Sequence, residues 1–62
     1  MNLQTIQRSG AHDLRCPAEQ VVARRLEGKE YAADGCGQRA TYKFVQEPGY
    51  VFRVLLIARV SL

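Results

Sequence analysis

The sequence has few residues of the types that build metal and catalytic sites. It contains one histidine, His12, and two cysteines, Cys16 and Cys36, in 62 residues. The cysteines do not form a CxxC pair, and zinc would need a fourth ligand, such as Asp13 or Asp34, at a spacing that fits no standard site. We keep a thiol or metal site at His12, Cys16 and Cys36 as an alternative, and predict no bound metal or cofactor.

A catalytic centre is also poorly supported. A Cys–His pair that includes His12 is conceivable, because nucleophile and base need only meet in space. A chain this short, however, has little room for a pocket, a base, an orienting group and an oxyanion site together. We therefore predict that the protein is not an enzyme.

The sequence also predicts no targeting segment and no membrane-spanning segment. Residues 1–14 have no charged start followed by an apolar run, so we expect no signal peptide. Residues 50–62 are apolar, but they are too short and too interrupted by Arg53 and Arg59 to span a bilayer. No repeat, linker or low-complexity segment divides the chain, which predicts one small domain over residues 1–62.

Positive charge is present in modest excess, without a dense stripe. Nine lysines and arginines against six acidic residues give a net charge of +3. A scattered excess of this size is more typical of a solvated surface than of a nucleic-acid interface. As an alternative function we keep binding of single-stranded nucleic acid or another polyanion. The basic residues that would serve it are Arg24, Arg25, Arg39, Lys43 and Arg53.

The aromatic residues could in principle stack nucleic-acid bases on a sheet. They are Tyr31, Tyr42, Phe44, Tyr50 and Phe52. In residues 39–45, however, strict alternation puts Ala40, Tyr42 and Phe44 on one strand face and the basic side chains on the other. Aromatic residues that line a small hydrophobic core are therefore the favoured interpretation.

The organising stretch is Asp34-Gly35-Cys36-Gly37, which precedes that alternating strand. Two glycines allow a tight reversal, and an aspartate can close a local turn. The cysteines are twenty positions apart (16 and 36), and both lie at predicted turns. In so small a chain this arrangement favours a disulfide between Cys16 and Cys36 over two buried thiols, with about 3 kcal/mol of stabilisation. A disulfide would imply an extracytoplasmic compartment, which the expected absence of a signal peptide leaves undecided.

The remaining elements predict a small all-β domain. Residues 2–8 alternate loosely and predict a short strand, Ser9-Gly10 predicts a break, and residues 11–15 predict extended chain. Residues 17–27 fit either a helix that ends at Gly28 or a hairpin that joins 21–26 to 31–33. We predict an antiparallel sheet of about five strands, as a meander, sandwich or partial barrel, with a helix at 17–27 as the lesser alternative.

A long apolar strand closes the chain. Residues 50–62 are predicted to pair with 41–45 through a turn at 46–49. This strand is longer than its visible partner, and an uncovered apolar edge favours aggregation. One cover for it is the predicted N-terminal strand. The function we predict is that it binds a protein partner or a second copy of the chain instead. The predicted partner-binding residues are Tyr50, Phe52, Val54, Leu56, Ala58 and Val60, which alternation places on one apolar face.

One pattern resembles a known type of module. The residues concerned are Asp13, Leu14, Cys16, Pro17, Tyr31, Gly35, Cys36, Gly37, Ala40 and Tyr42. Their order, DLxCP followed by GCGxxATY, resembles a short two-cysteine β module of uncharacterised bacterial proteins, many of them secreted proteins or lipoproteins. The resemblance covers residues 13–42 and implies a strand hairpin over 21–33. It brings no defined activity, and residues 50–62 lie outside it.

Overall fold

The structure, a computed structural model, describes residues 2–47 and 51–62, with only the backbone described for residues 46, 47, 51 and 52. In these residues it contains helix α1 (Leu3–Leu14), a single 3-10 turn (Ala18–Gln20) and four strands. The strands are β1 (Val22–Arg25), β2 (Glu30–Gly35), β3 (Gln38–Glu47) and β4 (Val51–Ser61). They form one antiparallel sheet in the order β1-β2-β3-β4. The fold is therefore mostly β with one helix, which corrects the prediction of an all-β sheet of about five strands.

The predicted N-terminal strand is wrong, because residues 3–14 form α1. The side chain of Asn2 accepts a hydrogen bond from the Thr5 N–H at 3.0 Å and caps the first turn. The buried residues of α1 are Ile6, Gly10 and Leu14, spaced four apart, which is the spacing of one helix face. The predicted break at Ser9-Gly10 and extended chain at 11–15 are therefore also wrong.

Gly10 lies inside α1 because the helix crosses the sheet closely at that point. A Cβ built on Gly10 would collide with the side chain of Ala33 on β2 and approach Val21 Cγ1 to 3.3 Å. Glycine costs roughly 1 kcal/mol relative to alanine in a helix interior. Here it permits the close contact between the helix and the sheet.

The segment 17–27 contains a strand rather than the alternative helix. After the 3-10 turn, β1 pairs with β2 from Val22 opposite Asp34 to Arg25 opposite Tyr31. The turn between these strands includes Gly28 at a φ of 55°. The predicted hairpin is thus confirmed, with slightly shifted bounds. The amide of Gln7 on α1 donates to the carbonyls of Ala18 and Val21, at 2.7 and 3.2 Å, and ties the helix to the start of this hairpin.

Cys16 and Cys36 form the predicted disulfide. Cys36 and Gly37 are the two central residues of the turn between β2 and β3, with φ values of 51° and 72°. Positive φ at both positions is the requirement of a two-residue type I′ hairpin. The disulfide therefore ties this turn to the chain that follows α1, where Cys16 is buried.

The hydrophobic core lies between α1 and one face of the sheet, which we call the helix side. Its buried residues are Ile6, Leu14, Cys16, Val21, Tyr31, Ala33, Ala40 and Tyr42. Phe44 and Val54 pack against this cluster and are partly exposed. The prediction that Ala40, Tyr42 and Phe44 share the buried face of β3 is confirmed. The opposite face of the sheet, the open side, carries no helix in the described part of the chain.

Tyr42 also fixes the C-terminal half of α1 to the sheet. Its hydroxyl donates a hydrogen bond of 2.6 Å to Asp13 Oδ2. Burial, followed by this hydrogen bond and the charge of Asp13, raises the pKa of Tyr42 well above its usual range. The contact therefore stabilises the protonated phenol in the folded chain.

Candidate interaction surface

β4 is the last strand of the sheet, so one of its two edges has no neighbouring strand among the described residues. It pairs with β3 from Glu47 opposite Val51 to Gln38 opposite Ser61. Helix α1 packs mainly on β1, β2 and β3. β4 is therefore largely uncovered on its edge and on both of its faces. We call residues 53–61 with this arrangement the β4 edge.

The large apolar side chains of the β4 edge are half exposed. Leu55 and Leu56 are 46% and 44% exposed, and Ile57 and Val60 are 51% and 50% exposed. Val54 is partly buried because it packs against the core. Scattered exposed apolar residues are normal, but a contiguous run along one strand marks an interaction or aggregation surface.

Backbone groups of the β4 edge are also directed outward. The Phe44 N–H donates to the Lys29 carbonyl at 2.8 Å, and the Leu62 N–H donates to the Gly37 carbonyl at 2.8 Å. In an antiparallel ladder, hydrogen-bonded and non-hydrogen-bonded residue pairs alternate. The pairing register then assigns the outward N–H and C=O groups of β4 to Val54, Leu56, Arg59 and Ser61. These groups form an uncompleted ladder that a further strand could join.

A β-bulge divides the side chains of β4 between the two faces. Tyr42 lies opposite Leu56, but the preceding residue, Thr41, lies opposite Ala58, so Ile57 is an extra residue on β4. Residues directly opposite each other share a face. Val54 and Leu56 therefore lie on the helix side with Phe44 and Tyr42. Ala58 and Val60 lie on the open side with Thr41 and Arg39.

The predicted single apolar face of β4 is thus wrong. Alternation through Val54, Leu56, Ala58 and Val60 fails because the bulge shifts the face by one residue. Only the backbone of Phe52 is described, opposite Gln46. Of the predicted turn at 46–49, residues 46 and 47 instead end β3, opposite Phe52 and Val51, which corrects that part of the prediction. Pro48, Gly49 and Tyr50 lie outside the described residues. That these residues bind a partner stays a prediction.

The bulge also moves Arg59 to the helix side, opposite Ala40. There its guanidinium Nη1 donates to the backbone carbonyl of Asp13 at 3.1 Å. Without the extra residue, Arg59 would lie on the open side and Ala58 on the helix side. The sequence pattern did not reveal the role of Arg59, because a bulge has no reliable signal in a run as uniform as Leu55-Leu56-Ile57.

Most of the predicted polyanion-binding residues share the open side. Residue pairing places Arg24 opposite Ala32, Arg39 opposite Asp34, Lys43 opposite Glu30, and Arg53 opposite Val45. Arg25, the fifth residue, pairs with Tyr31 and lies on the helix side. The structure therefore groups four of the five basic residues, together with two acidic ones.

Asp34 neutralises part of this basic group. Its carboxylate accepts hydrogen bonds from Arg39 Nε at 2.8 Å and Arg39 Nη2 at 3.1 Å, and lies 3.6 Å from Arg24 Nη2. The hydrogen bonds from Arg39 are the main cause that lowers the pKa of Asp34, and partial burial opposes them. Asp34 therefore offsets part of the positive charge of Arg24 on β1 and Arg39 on β3.

The alternative thiol or metal residues are not assembled as ligands. Cys16 and Cys36 are bonded to each other, and His12 is exposed in the last turn of α1. Over residues 2–47 and 51–62, no three histidine, cysteine or acidic residues form a metal-binding group. Within the same ranges no pocket is found, and no helix has both the length and the apolar character to cross a membrane.

Comparison with known proteins returned no protein-family model, no curated protein and no solved structure that matches this chain. The resemblance of residues 13–42 to a bacterial two-cysteine module therefore stays a prediction.

Proposed function

We propose that this chain is a non-catalytic interaction module that binds an extended polypeptide segment along the β4 edge. The observation that carries the proposal is the combination of outward backbone groups with half-exposed Leu55, Leu56, Ile57 and Val60 on the same strand. Strand addition uses both features, because backbone hydrogen bonds supply affinity and alternate side chains supply specificity.

The rest of the molecule supports a scaffold role for the other elements. The disulfide, the Tyr42–Asp13 hydrogen bond and the Gln7 contacts all lie between α1 and β1, β2 or β3, or next to them. These contacts fix β1, β2 and β3 relative to α1, and β3 is the strand with which β4 pairs. A rigid template lowers the entropic cost of binding an extended segment.

A matched pair of substitutions tests this proposal. Leu56 and Leu26 are almost equally exposed, at 44% and 42%, but Leu26 lies in the turn between β1 and β2. Leu56→Lys places a charge on the β4 edge, whereas Leu26→Lys places the same charge away from it. We expect Leu56→Lys alone to weaken association, because a charged residue protects a sheet edge from strand pairing.

The measurement combines sedimentation with residue-resolved amide exchange. When the chain associates with itself or with an added strand peptide, the outward amides of Val54, Leu56, Arg59 and Ser61 should become protected. Leu26→Lys should leave this protection intact. Association that leaves those four amides unprotected, or that both substitutions weaken equally, would refute binding along β4.

A second candidate function is binding of a single-stranded nucleic acid or another polyanion on the open side. It is favoured by the grouping of Arg24, Arg39, Lys43 and Arg53 on that side, and opposed by the pairing of Asp34 with two arginines. Such binding should weaken steeply with salt. Fluorescence anisotropy with a labelled single-stranded oligonucleotide at low salt measures it, and no binding under those conditions removes this candidate.

A further inference from the structure

The outward backbone groups of the β4 edge are arranged symmetrically about its bulge. They belong to Val54, Leu56, Arg59 and Ser61. Successive members of this set are two, three and two positions apart, because the bulge adds one residue between Leu56 and Arg59. The spacing therefore reads the same from either end, and a second copy of β4 that runs antiparallel offers its outward groups at matching intervals.

One antiparallel register pairs all four of these residues with one another. It places Val54 opposite Ser61 of a second copy and Leu56 opposite Arg59 of that copy, and two-fold symmetry repeats both pairs. Residues whose backbone groups are directed at each other exchange two hydrogen bonds, so the four pairs form eight between the strands. A protein interface of standard size has roughly ten hydrogen bonds, so this ladder alone supplies most of that number.

The bulge also excludes neighbouring registers. In a regular strand, a slip by two residues keeps each side chain on its face and each backbone group in the ladder. On β4, a slip by two in one direction places Leu56 opposite Ile57 of the second copy. A slip in the other direction places Arg59 opposite Ala58. Ile57 is the extra residue and Ala58 pairs with β3, so neither offers outward groups, and only the symmetric register keeps the full ladder.

A second copy matches the bulge better than a regular strand does. In the symmetric register each copy has two residues, Ile57 and Ala58, between its two central hydrogen-bonded pairs. A regular strand has one residue at that place. The extra residue of one copy is therefore matched by that of the other. Ile57, which is 51% exposed, lies opposite the small side chain of Ala58, so a large and a small side chain meet at the centre.

The same register covers the exposed apolar side chains of β4. The two-fold axis is perpendicular to the sheet, so each side of one copy continues into the same side of the other. On the open side, Leu55 lies opposite Val60 of the second copy, and both are about half exposed in the single chain. On the helix side, Leu56 lies opposite the aliphatic part of Arg59. Apolar pairs across neighbouring strands stabilise a sheet.

The two arginines of β4 are compatible with this pairing. Arg59 lies opposite Leu56 of the second copy, and its guanidinium donates to the Asp13 carbonyl of its own chain at 3.1 Å. Arg53 lies outside the paired stretch 54–61, so the two copies carry this residue at opposite ends of the shared ladder. No arginine of β4 therefore lies opposite an arginine of the other β4, an arrangement that would be destabilising.

We propose, as an extension that rests on the proposed function, that the segment bound at the β4 edge is β4 of a second copy of this chain. The two antiparallel strands pair about a two-fold axis between Ile57 and Ala58. The two four-stranded sheets then form one continuous antiparallel sheet, and the preferred occupant of the edge is a second copy rather than a strand of another protein.

The unaltered, oxidised chain provides the first test. Sedimentation from about 10 μM to about 1 mM should show a monomer that converts to a dimer. Isotope-filtered NMR on a mixture of labelled and unlabelled chains should then show contacts between the backbone of Leu55 and that of Val60 in the other copy. Contacts of Leu55 with Ala58 or Leu62 of the other copy, and none with Val60, would overturn the symmetric register.

Two charge substitutions test the same register by affinity. Leu55→Lys and Val60→Glu should each weaken self-association, because each puts a charge against an apolar side chain. In a mixture, the introduced lysine lies opposite the introduced glutamate, and the mixed dimer should form roughly fivefold more tightly than a dimer of either variant alone. Leu26→Glu, in the turn between β1 and β2, is the control. It should bind Leu55→Lys no more tightly than the unaltered chain does.

The variants must be folded for this comparison. Retention of the disulfide by intact mass and of the far-ultraviolet circular dichroism spectrum shows that they are. If a variant does not fold, the filtered NMR contacts of the unaltered chain still decide the register.

The outcomes separate this inference from the proposed function. A chain that stays monomeric at about 1 mM, while an added strand peptide protects the outward amides of β4, overturns the second copy but leaves strand pairing at β4 in place. A dimer whose contacts lie away from β4 also overturns it. If neither a second copy nor a strand peptide protects those amides, strand pairing itself is refuted, and the second copy with it.

Discussion

The two edges of the sheet differ in length, composition and cover. β1 has 4 residues, two of them arginines, and α1 packs on it. β4 has 11 residues, of which eight are apolar and two are arginines, and its large apolar side chains are mostly half exposed. Natural proteins commonly protect sheet edges with short strands and charged residues. β1 follows that rule, whereas β4 departs from it in its length and its exposed apolar side chains, and for this reason the proposed binding function is assigned to β4.

We expect the two regions to contribute differently, one mainly to the stability of the fold and the β4 edge mainly to association. The disulfide, the Tyr42–Asp13 hydrogen bond and most of the core lie around α1, β1, β2 and β3. β4 pairs with β3 and contributes Val54 to the core, but most of its large apolar side chains are half exposed. Substitutions in the first region should change the free energy of unfolding, and substitutions on the β4 edge should change association. Four changes in the first region test the expected effects on stability, from the largest to the smallest.

Loss of the disulfide should have the largest effect. Replacing both cysteines, Cys16→Ala with Cys36→Ala, should lower the free energy of unfolding by about 3 kcal/mol, because the disulfide restricts the unfolded chain. Chemical denaturation of the two chains measures the loss. A matched variant, Cys16→Ala with Cys36→Gly, should recover roughly 1 kcal/mol, since glycine tolerates the positive φ of residue 36. Equal stability of the two variants would show that the positive φ of residue 36 does not destabilise a residue other than glycine.

Gly10→Ala should destabilise the chain although alanine is the better helix former. The added Cβ would collide with Ala33 and push α1 away from β2, at a cost of about 1–2 kcal/mol after the gain in helix propensity. Ser9→Ala, one position earlier, is the control, because it raises helix propensity without that collision. Thermal unfolding of both variants tests the prediction, and a stabilised Gly10→Ala chain would contradict the close packing of α1 on β2.

Tyr42→Phe should cost about 1–2 kcal/mol, because it removes a hydrogen bond to a carboxylate. Since the pKa of Tyr42 is raised in the folded chain, the protonated phenol contributes stability that is complete below the unfolded pKa of about 10 and is lost as the pH rises above it. Unfolding measured from pH 8 to 11 should therefore show a steeper alkaline loss in the unaltered chain than in Tyr42→Phe. If the stability of both chains fell equally with pH, the Tyr42 hydroxyl would not be part of a stabilising contact in the folded chain.

Asp34→Asn should have the smallest effect of the four. The lowered pKa of Asp34, caused mainly by the hydrogen bonds from Arg39, means that its contribution is present above the unfolded pKa of about 4 and is lost as the pH falls through the folded value. The pair is partly exposed, so solvent and salt screen it. Chemical denaturation should show a smaller difference in the free energy of unfolding between the two chains at pH 3 than at pH 7. A difference that grows on acidification would contradict this role of Asp34.

The turn between β2 and β3, strand β3 and the disulfide could be predicted from the sequence, whereas residues 17–27 fitted a helix as well as the β1–β2 hairpin. Glycines mark the turn at 35–37, alternation marks β3, and two cysteines in a very small chain favour a disulfide, which the structure confirms. Helix α1 could not be predicted in this way. Its buried face consists of Ile6, Gly10 and Leu14, and the glycine in the middle makes sense only when Ala33 of β2 is packed against it.

Only part of the candidate surface could be predicted, because its local signals are clear and its tertiary contacts are not visible in the sequence. The length and the apolar composition of residues 50–62 are sequence signals that indicate an exposed strand. The division of its side chains between two faces depends on one extra residue at Ile57, and on the contact of Arg59 with the Asp13 carbonyl. Both are decided by tertiary structure, so alternation alone assigned Ala58 and Val60 to the wrong side.

The most direct test of the account is amide exchange along β4 in the free monomer, at a concentration where sedimentation shows a single chain. The account predicts an alternating pattern, with the amides of Leu55 and Val60 protected by β3 and those of Val54, Leu56, Arg59 and Ser61 exchanging quickly. Uniform slow exchange along β4 in a proven monomer would mean that the chain covers this edge itself, and would contradict a binding function for it.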